Sequence, residues 1–418
     1  MATLDTHPPA LPDLRPWLRD GDRVTWGQCN AEPLTLTRAL VAQRQHFQRL
    51  HLVTGIANAS TLQPEQADVF SFTSYCGTGG NRALARAGLL DILPGPYSQF
   101  AGLLRQGGLK VDVVLVQVSP PDAQGRHSLG LVNDFLPAAL EAARVVIAEI
   151  NPGVPWTFGA RTLAAADFSA SFPALFPPLA TAPGTPGEVE AQIARRVAAL
   201  IDDGATLQVG LGGSAEATLA LLTDRRHLGL HSGMVGDGLV TLAESGALTN
   251  ARKTIDAGIS IVALLVGSAR LSAHAHHNPA VQLRGCDYTH AADVLRRIDR
   301  LVALNSAIEV DLTGQANAEV AASQYVGAVG GAPDFLRAAA LSRGGLPIIA
   351  LPSTAGPRSR IVAQLSGPVT TPRCDAGLIV TEHGVADLRG LPLRRRAAAM
   401  IDIAAPQHRE ALARAAGA

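Results

Sequence analysis

Short apolar, β-branched runs alternate with helical stretches along almost the whole chain, and this alternation limits the fold more than any other feature. Val111 to Val118, Arg144 to Ile150, Ile259 to Val266 and Leu346 to Leu351 read as strands. Segments with helical periodicity lie between such runs, among them Glu188 to Ile201 and Asp334 to Leu341. Strands that are apolar on both faces and separated by helices imply parallel sheet covered on both sides. The expected class is α/β with mostly parallel sheets. At 418 residues the chain exceeds one compact core, so two domains are expected.

The boundary falls where both periodicities stop. Phe172 to Gly187 carries Pro173, Pro177, Pro178, Pro183 and Pro186 among Ala and Thr, the composition of a linker. A division near residue 184 gives domains 1–184 and 185–418. An internal repeat supports it. Asp20-Gly21-Asp22-Arg23-Val24-Thr25-Trp26-Gly27 has the pattern of Asp203-Gly204-Ala205-Thr206-Leu207-Gln208-Val209-Gly210. Further along, Leu52-Val53-Thr54-Gly55-Ile56 parallels Leu230-His231-Ser232-Gly233-Met234. Two similar halves with a ligand in the cleft between them is the arrangement expected.

Composition narrows the function. Lys+Arg and Asp+Glu each total 35, a balance that argues against a dedicated nucleic-acid binder. No apolar run approaches the length of a bilayer span, and the amino-terminal residues show no secretory signal pattern. A cytoplasmic protein that does not engage the membrane is the expectation. Cys29, Cys76, Cys286 and Cys374 are scattered, without CxxC spacing, so neither a disulfide framework nor a zinc site is expected. His274, His276 and His277 lie in a stretch, Ser272 to Pro279, that reads as an exposed loop without a carboxylate partner. No metal site is assigned there.

Glycine turns offer the backbone approach a ligand needs. Gly210-Leu211-Gly212-Gly213 follows a strand and precedes a helix start at Ser214. Gly327-Ala328-Val329-Gly330-Gly331 precedes Ala332-Pro333-Asp334, where Pro and Asp suit a first helical turn. N–H groups at such starts can hold a phosphate or a developing oxyanion, and tight strand-to-helix turns need glycine in any case. Both readings stand on pattern alone.

Longer ordered segments carry more information. They are Val116-Gln117-Val118-Ser119-Pro120-Pro121-Asp122, Ala148-Glu149-Ile150-Asn151-Pro152, His231-Ser232, Glu309-Val310-Asp311-Leu312-Thr313-Gly314-Gln315, the Gly330-Gly331 turn, and Val380-Thr381-Glu382-His383-Gly384-Val385-Ala386-Asp387-Leu388-Arg389-Gly390. From Asp20 to about Glu410 the chain resembles the acetyl-CoA hydrolase/transferase family, which includes 4-hydroxybutyrate, acetate and succinyl CoA-transferases. The resemblance implies two similar CoA-transferase-like α/β domains with acyl-CoA bound between them. It implies coenzyme A as cofactor, a small carboxylic acid as second substrate, and Gly212, Gly213, Gly330 and Gly331 as cofactor or oxyanion contacts. A homodimer is the expected assembly.

Two residues depart from the family pattern. Members of the family carry a nucleophilic glutamate between the Ser and Met of His231-Ser232-Gly233-Met234, and this chain has Gly233 there. Ala332 stands where Gln commonly follows the Gly-Gly turn. Without a carboxylate at 233, either another carboxylate enters the site or water takes its place. Glu32, in the first-half counterpart of the second-half glycine loop, is one substitute, or else a helix-start carboxylate. His231 is another, as an imidazole beside the space left by Gly233, or else a hydrogen-bonded structural histidine. Asp237 is read as fixing its turn, Glu309 and Glu382 as structural or cofactor-orienting, and Cys76 as lacking a neighbouring base. An acyl-CoA-acting enzyme, transferase or hydrolase, is expected first, and a non-catalytic CoA-binding protein or subunit second.

Overall fold

Two sheets with the same internal order organise the chain. The structure, a computed structural model, describes residues 10–417 except Leu211. The amino-terminal residues 1–9, read above for a targeting signal, and Leu211 of the first glycine turn lie outside the described residues. The principal strands of the first sheet are β1 (Arg23–Trp26), β2 (Leu50–Thr54), β3 (Phe70–Ser74), β4 (Leu90–Ile92), β5 (Val113–Val118), β6 (Val145–Ile150) and β7 (Ala170–Pro173). Those of the second are β8 (Thr206–Val209), β9 (Gly229–Val235), β10 (Ser260–Leu265), β11 (Val281–Leu283), β12 (Leu301–Asn305), β13 (Leu346–Ala350), β14 (Leu378–Thr381) and β15 (Gly384–Asp387).

Spatial order is β4-β3-β2-β1-β5-β6-β7 in one sheet and β11-β10-β9-β8-β12-β13-β14-β15 in the other. Each strand of the first sheet has its counterpart, in place and in chain order, in the second. Every pairing is parallel except that of β15, which folds back antiparallel on β14. The repeat noted in sequence appears at its start as matching backbone geometry. Gly21 and Gly204 both adopt positive φ, +83° and +77°, before their strands. Each donates its N–H across to the chain entering the next strand, Gly21 to Arg49 and Gly204 to Arg226.

Burial follows the strand chemistry. β5, β10 and β12 are buried at every residue, as expected of central parallel strands covered on both faces. Pro173 ends the edge strand β7, where a missing N–H costs no ladder bond. The largest apolar cluster runs through both sheets, taking in Val114, Val116 and Val118 with Leu207, Leu230, Val262 and Leu264. Backbone bonds cross the same junction: Leu265 N–H to Leu131 O at 3.0 Å, Asn133 N–H to Ala263 O at 2.8 Å, and Cys286 N–H to Asp134 O at 2.9 Å.

One corner of the first sheet holds a carboxyl group against its ordinary chemistry. Glu149 is fully buried on β6, and its Oε2 accepts the N–H groups of Thr35 at 2.8 Å and Leu36 at 3.3 Å. These belong to the first turn of the helix Leu34–Ala42. Oε1 has no partner among the described residues, and burial pushes the carboxyl up to about 7. A raised folded-state value means that this group's contribution is complete below 4.5 and is lost as pH rises through about 7. Glu149→Gln should therefore remove a decline in stability between pH 5 and 8, on the order of 2–3 kcal/mol. Thermal unfolding of both proteins at the two pH values checks this. An equal decline in the variant would contradict it.

Candidate functional site

Gly233 lies near the end of β9, and the ring of His290 packs against its backbone. A Cβ built on Gly233 would meet His290 Nε2 at 2.7 Å and Cε1 at 2.9 Å. A Cβ on Gly331, in the turn 98 residues further along, would meet the same Nε2 at 2.6 Å and Cδ2 at 2.7 Å. Real Cβ atoms do not approach this closely, so two glycines far apart in sequence admit one imidazole between them. The room expected beside Gly233 is thus filled. Aromatic neighbours fix the ring: the centroids of Phe335 and Tyr97 lie 4.8 and 4.9 Å from it.

Local structure explains how His290 arrives there. It follows the short helix Cys286–Thr289 and returns its N–H to Cys286 O. That helix is tied at its start to the first half by the Cys286–Asp134 bond. Asp134 is itself buried and accepts the Tyr97 hydroxyl at 2.9 Å, and its carboxyl also meets the Gln28 amide. Tyr75 donates to Gln28 Oε1 at 2.6 Å, so a buried polar network of the first half backs the Tyr97 face of the ring.

A hydrogen bond assigns the tautomer of His231. His231 Nε2 lies 3.1 Å from the Thr289 carbonyl, which can only accept, so Nε2 of His231 carries the proton. Its Nδ1 is sealed, with no partner among the described residues. Thr289 Oγ1 has one proton and two neighbours, Gly285 O at 3.2 Å and His290 Nδ1 at 2.8 Å. The Gly285 carbonyl already accepts the Tyr288 and Thr289 N–H groups at 2.9 Å, so the Thr289 hydroxyl ties to His290 Nδ1 with either group as donor. The Nε2 edge of His290 faces Gly233 and Gly331. Burial pushes His231 and His290 each down to about 3, so both are neutral near neutral pH.

The turn on the other side of the ring is held from the first half. Gly77 N–H donates to Gly327 O at 3.0 Å, and Tyr97 N–H to Gly330 O at 2.9 Å. Ser98 donates its N–H and its hydroxyl to Asp334, at 3.1 and 2.8 Å, fixing the start of the helix Ala332–Leu341. Gly330 takes a positive φ of 59°, a conformation glycine adopts without strain.

The second glycine turn lies elsewhere on the same sheet. Gly212 and Gly213 border two clefts, of about 180 Å³ and 200 Å³, at the carboxyl ends of β8, β9 and β12. Parallel α/β sheets bind ligands at such strand ends. Arg360 lines the first of these and also a larger adjoining cleft of about 620 Å³. Its guanidinium forms no ion pair among the described residues, and desolvation lowers its basicity.

The remaining sequence candidates fall in other places. Glu32 is buried, accepts the Thr37 hydroxyl at 2.9 Å and borders a small cleft with Gln28, Gly55 and Thr61. Burial raises its carboxyl. That cleft includes neither Gly233 nor His290. Asp237 accepts from the Ser268 N–H and hydroxyl, joining two turns. Glu309 accepts from Asn317 and Ser366, and Glu382 from Ser353, all local ties. Cys76 is buried, with its thiol pushed up by desolvation.

One loop reading is corrected. Ser272 to Ala275 belongs to the helix Ala269–Ala275, which Ser268 caps by accepting the Arg270 N–H. His276 and His277 are exposed but engaged: Nδ1 of His276 accepts the Trp156 N–H at 3.0 Å, and His277 stacks on the Trp156 ring.

His290 was missed in the sequence, because no motif surrounds Asp287-Tyr288-Thr289-His290. The only trace was indirect: glycine at two distant positions for which sequence gives no common cause.

Known proteins agree with this architecture. The acetyl-CoA hydrolase/transferase N-terminal domain matches residues 12–164, and the C-terminal domain of the same name matches 267–416. The chain is 37% identical to a 4-hydroxybutyrate coenzyme A transferase of Clostridium kluyveri, covering 94% of each chain. It is 31% identical to a butyryl-CoA:acetate CoA-transferase of Anaerostipes caccae, covering 94% of this chain and 92% of that one. Among solved structures, RipA from Yersinia pestis superposes with a TM-score of 0.90 at 31% identity, covering 96% of this chain and 94% of that one.

The shared use of Nε2 by two glycines makes a stability prediction. Gly233→Ala should cost about 1–3 kcal/mol by overpacking. In a His290→Ala background most of that cost should vanish, leaving a coupling energy readable from a double-mutant denaturation cycle. Strictly additive costs would contradict the contact.

Proposed function

The chain belongs to the acetyl-CoA hydrolase/transferase family, and from that premise we propose that it cleaves short-chain acyl-CoA thioesters with water rather than through a glutamyl intermediate. The observation that carries this reading is the pairing of Gly233 with His290. Residue 233 supplies no carboxylate, and the direction a side chain would take is filled by a neutral imidazole. Relatives include proteins named as CoA-transferases and, over about half of this chain, proteins named acetyl-CoA hydrolase. Water needs no covalent acceptor on the protein, so hydrolysis survives the loss of the carboxylate and an anhydride does not.

Coenzyme A would lie along the strand ends of the second sheet. The Gly212-Gly213 turn and Arg360, which forms no ion pair among the described residues, suit its phosphates, and the Gly330-Gly331 turn beside His290 suits the thioester oxyanion. His231 serves as a positioning residue, because its N–H holds the carbonyl of the residue before His290. We place the division between the halves near residue 184, and we read the working form as a cytoplasmic homodimer. Transfer to a small carboxylic acid would require another carboxylate, for which Glu32 is the candidate. A second reading, binding of CoA or acyl-CoA without turnover, is favoured by the buried His290 ring that fills the space beside Gly233, a residue with no side chain to react.

Purified protein given short acyl-CoAs and isotopically labelled carboxylates separates these readings by mass spectrometry. The account predicts free CoA and no labelled acyl-CoA. Labelled acyl-CoA would contradict it in favour of transfer, and binding without either product would favour the second reading.

A further inference from the structure

We propose that the two halves share one anion site, filled in the first half by the carboxyl group of Glu149 and open in the second, where a carboxylate or phosphate of the ligand takes that place. The site stands on the fold alone, and only the identity of its ligand rests on the acyl-CoA reading above.

Strand register matches the two positions. The internal repeat pairs Trp26 with Val209. Trp26 lies beside Leu115 and Leu115 beside Ile147, while Val209 lies beside Leu304 and Leu304 beside Ile348. Two residues further along these outer strands stand Glu149 on β6 and Ala350 on β13. In each half the chain runs outward from its first strand and then crosses to that strand's other side. Both positions therefore border a crossover crevice, where parallel sheets bind ligands. A helix follows the first strand in each half, Leu34–Ala42 and Gly213–Ala220.

What fills the crevice differs. In the first half Glu149 Oε2 accepts N–H groups at the start of the helix, from Thr35 at 2.8 Å and Leu36 at 3.3 Å. An acceptor at that point satisfies donors the helix leaves unpaired and meets the positive end of its dipole. In the second half Ala350 offers no such group. A cleft of about 180 Å³ stands there instead, lined by Ala350, Gly213, Ser214, Asn305, Ser306 and Arg360. The N–H groups of Gly213 and Ser214 have no acceptor among the described residues, whereas those of Ala215 and Glu216 turn back to Gly212 O.

The charges on the lining agree with an anion. Arg360 is its one cationic side chain and forms no ion pair among the described residues. Glu190 is its one carboxylate, and Oε2 of that group turns back toward Gly187. The second crevice thus keeps the donors of the first, adds a guanidinium and lacks the acceptor.

Two substitutions that exchange the residues test this. Glu149→Ala should lower the unfolding temperature, and acetate, whose atoms match those removed, should raise it by more than the same acetate raises wild type. An equal acetate effect on both proteins overturns the shared site. Ala350→Glu should bring a carboxyl group to the start of the helix Gly213–Ala220 and weaken ligand binding ~10-fold or more by calorimetry. The probes are coenzyme A, pantetheine (which lacks the phosphates) and acetate. A loss for coenzyme A that pantetheine does not share supports the site with a phosphate as the anion, and a loss for acetate supports it with the acid. A loss that pantetheine shares overturns the anion assignment, as does an equal loss in Ala350→Leu, which fills the space without an acceptor. Unchanged affinity for coenzyme A and acetate overturns the open site while sparing the acyl-CoA reading. Wild-type protein that binds neither overturns both together. A measurement on unmutated protein guards against variants that fail to fold. The ¹⁵N amide signals of Gly213 and Ser214 should move when coenzyme A or acetate is added, and signals that both leave unmoved overturn the proposal.

Discussion

The wedging of one imidazole between two glycine backbones is the contact on which the rest of the site depends. Three chain segments meet there: the end of β9, the turn before the helix Ala332–Leu341, and the short helix that delivers His290. None can carry a larger side chain at its contact point without displacing the others. Interiors packed to this density do not absorb an extra methyl group quietly. Gly233 is therefore one member of a set of three positions, and its chemistry cannot be read apart from His290 and Gly331.

The set is assembled by the junction of the two halves. The first half contributes no atom to the two glycine contacts, yet it fixes both sides of them. Gly77 and Tyr97 hold the backbone of the glycine turn, Ser98 holds the helix that follows it, and Asp134 holds the start of the helix before His290. Tyr97 does two things, gripping the turn through its N–H and the imidazole through its ring. The junction between two copies of one topology thereby fixes the ring, with a polar network buried behind it.

Much of the fold was legible in the sequence, because its signals were local. The strand runs appear within two or three residues of their expected limits, as with Val113–Val118 inside Val111 to Val118. The Asp-Gly repeat marks equivalent turns because the same positive φ is needed before each strand. The site was legible only by its gap. Gly233 could be singled out, but its partner lies 57 residues on in a segment without motif, and only the packed chain brings them together. Glu32 and His231 were reasonable substitutes by position, and the structure gives each a local hydrogen bond away from the two glycines. The histidine loop failed for a simpler reason: Ser268 supplies a helix cap that the exposed composition of the segment concealed.

The most direct test of the three-position account introduces a carboxylate at position 233 and removes the ring together. Gly233→Glu alone leaves His290 in the way, whereas Gly233→Glu with His290→Gly opens the space the carboxylate needs. Incorporation of labelled acetate into acyl-CoA should appear in the double variant and be absent from the single one. Equal exchange in both would contradict the claim that His290 governs what position 233 can do.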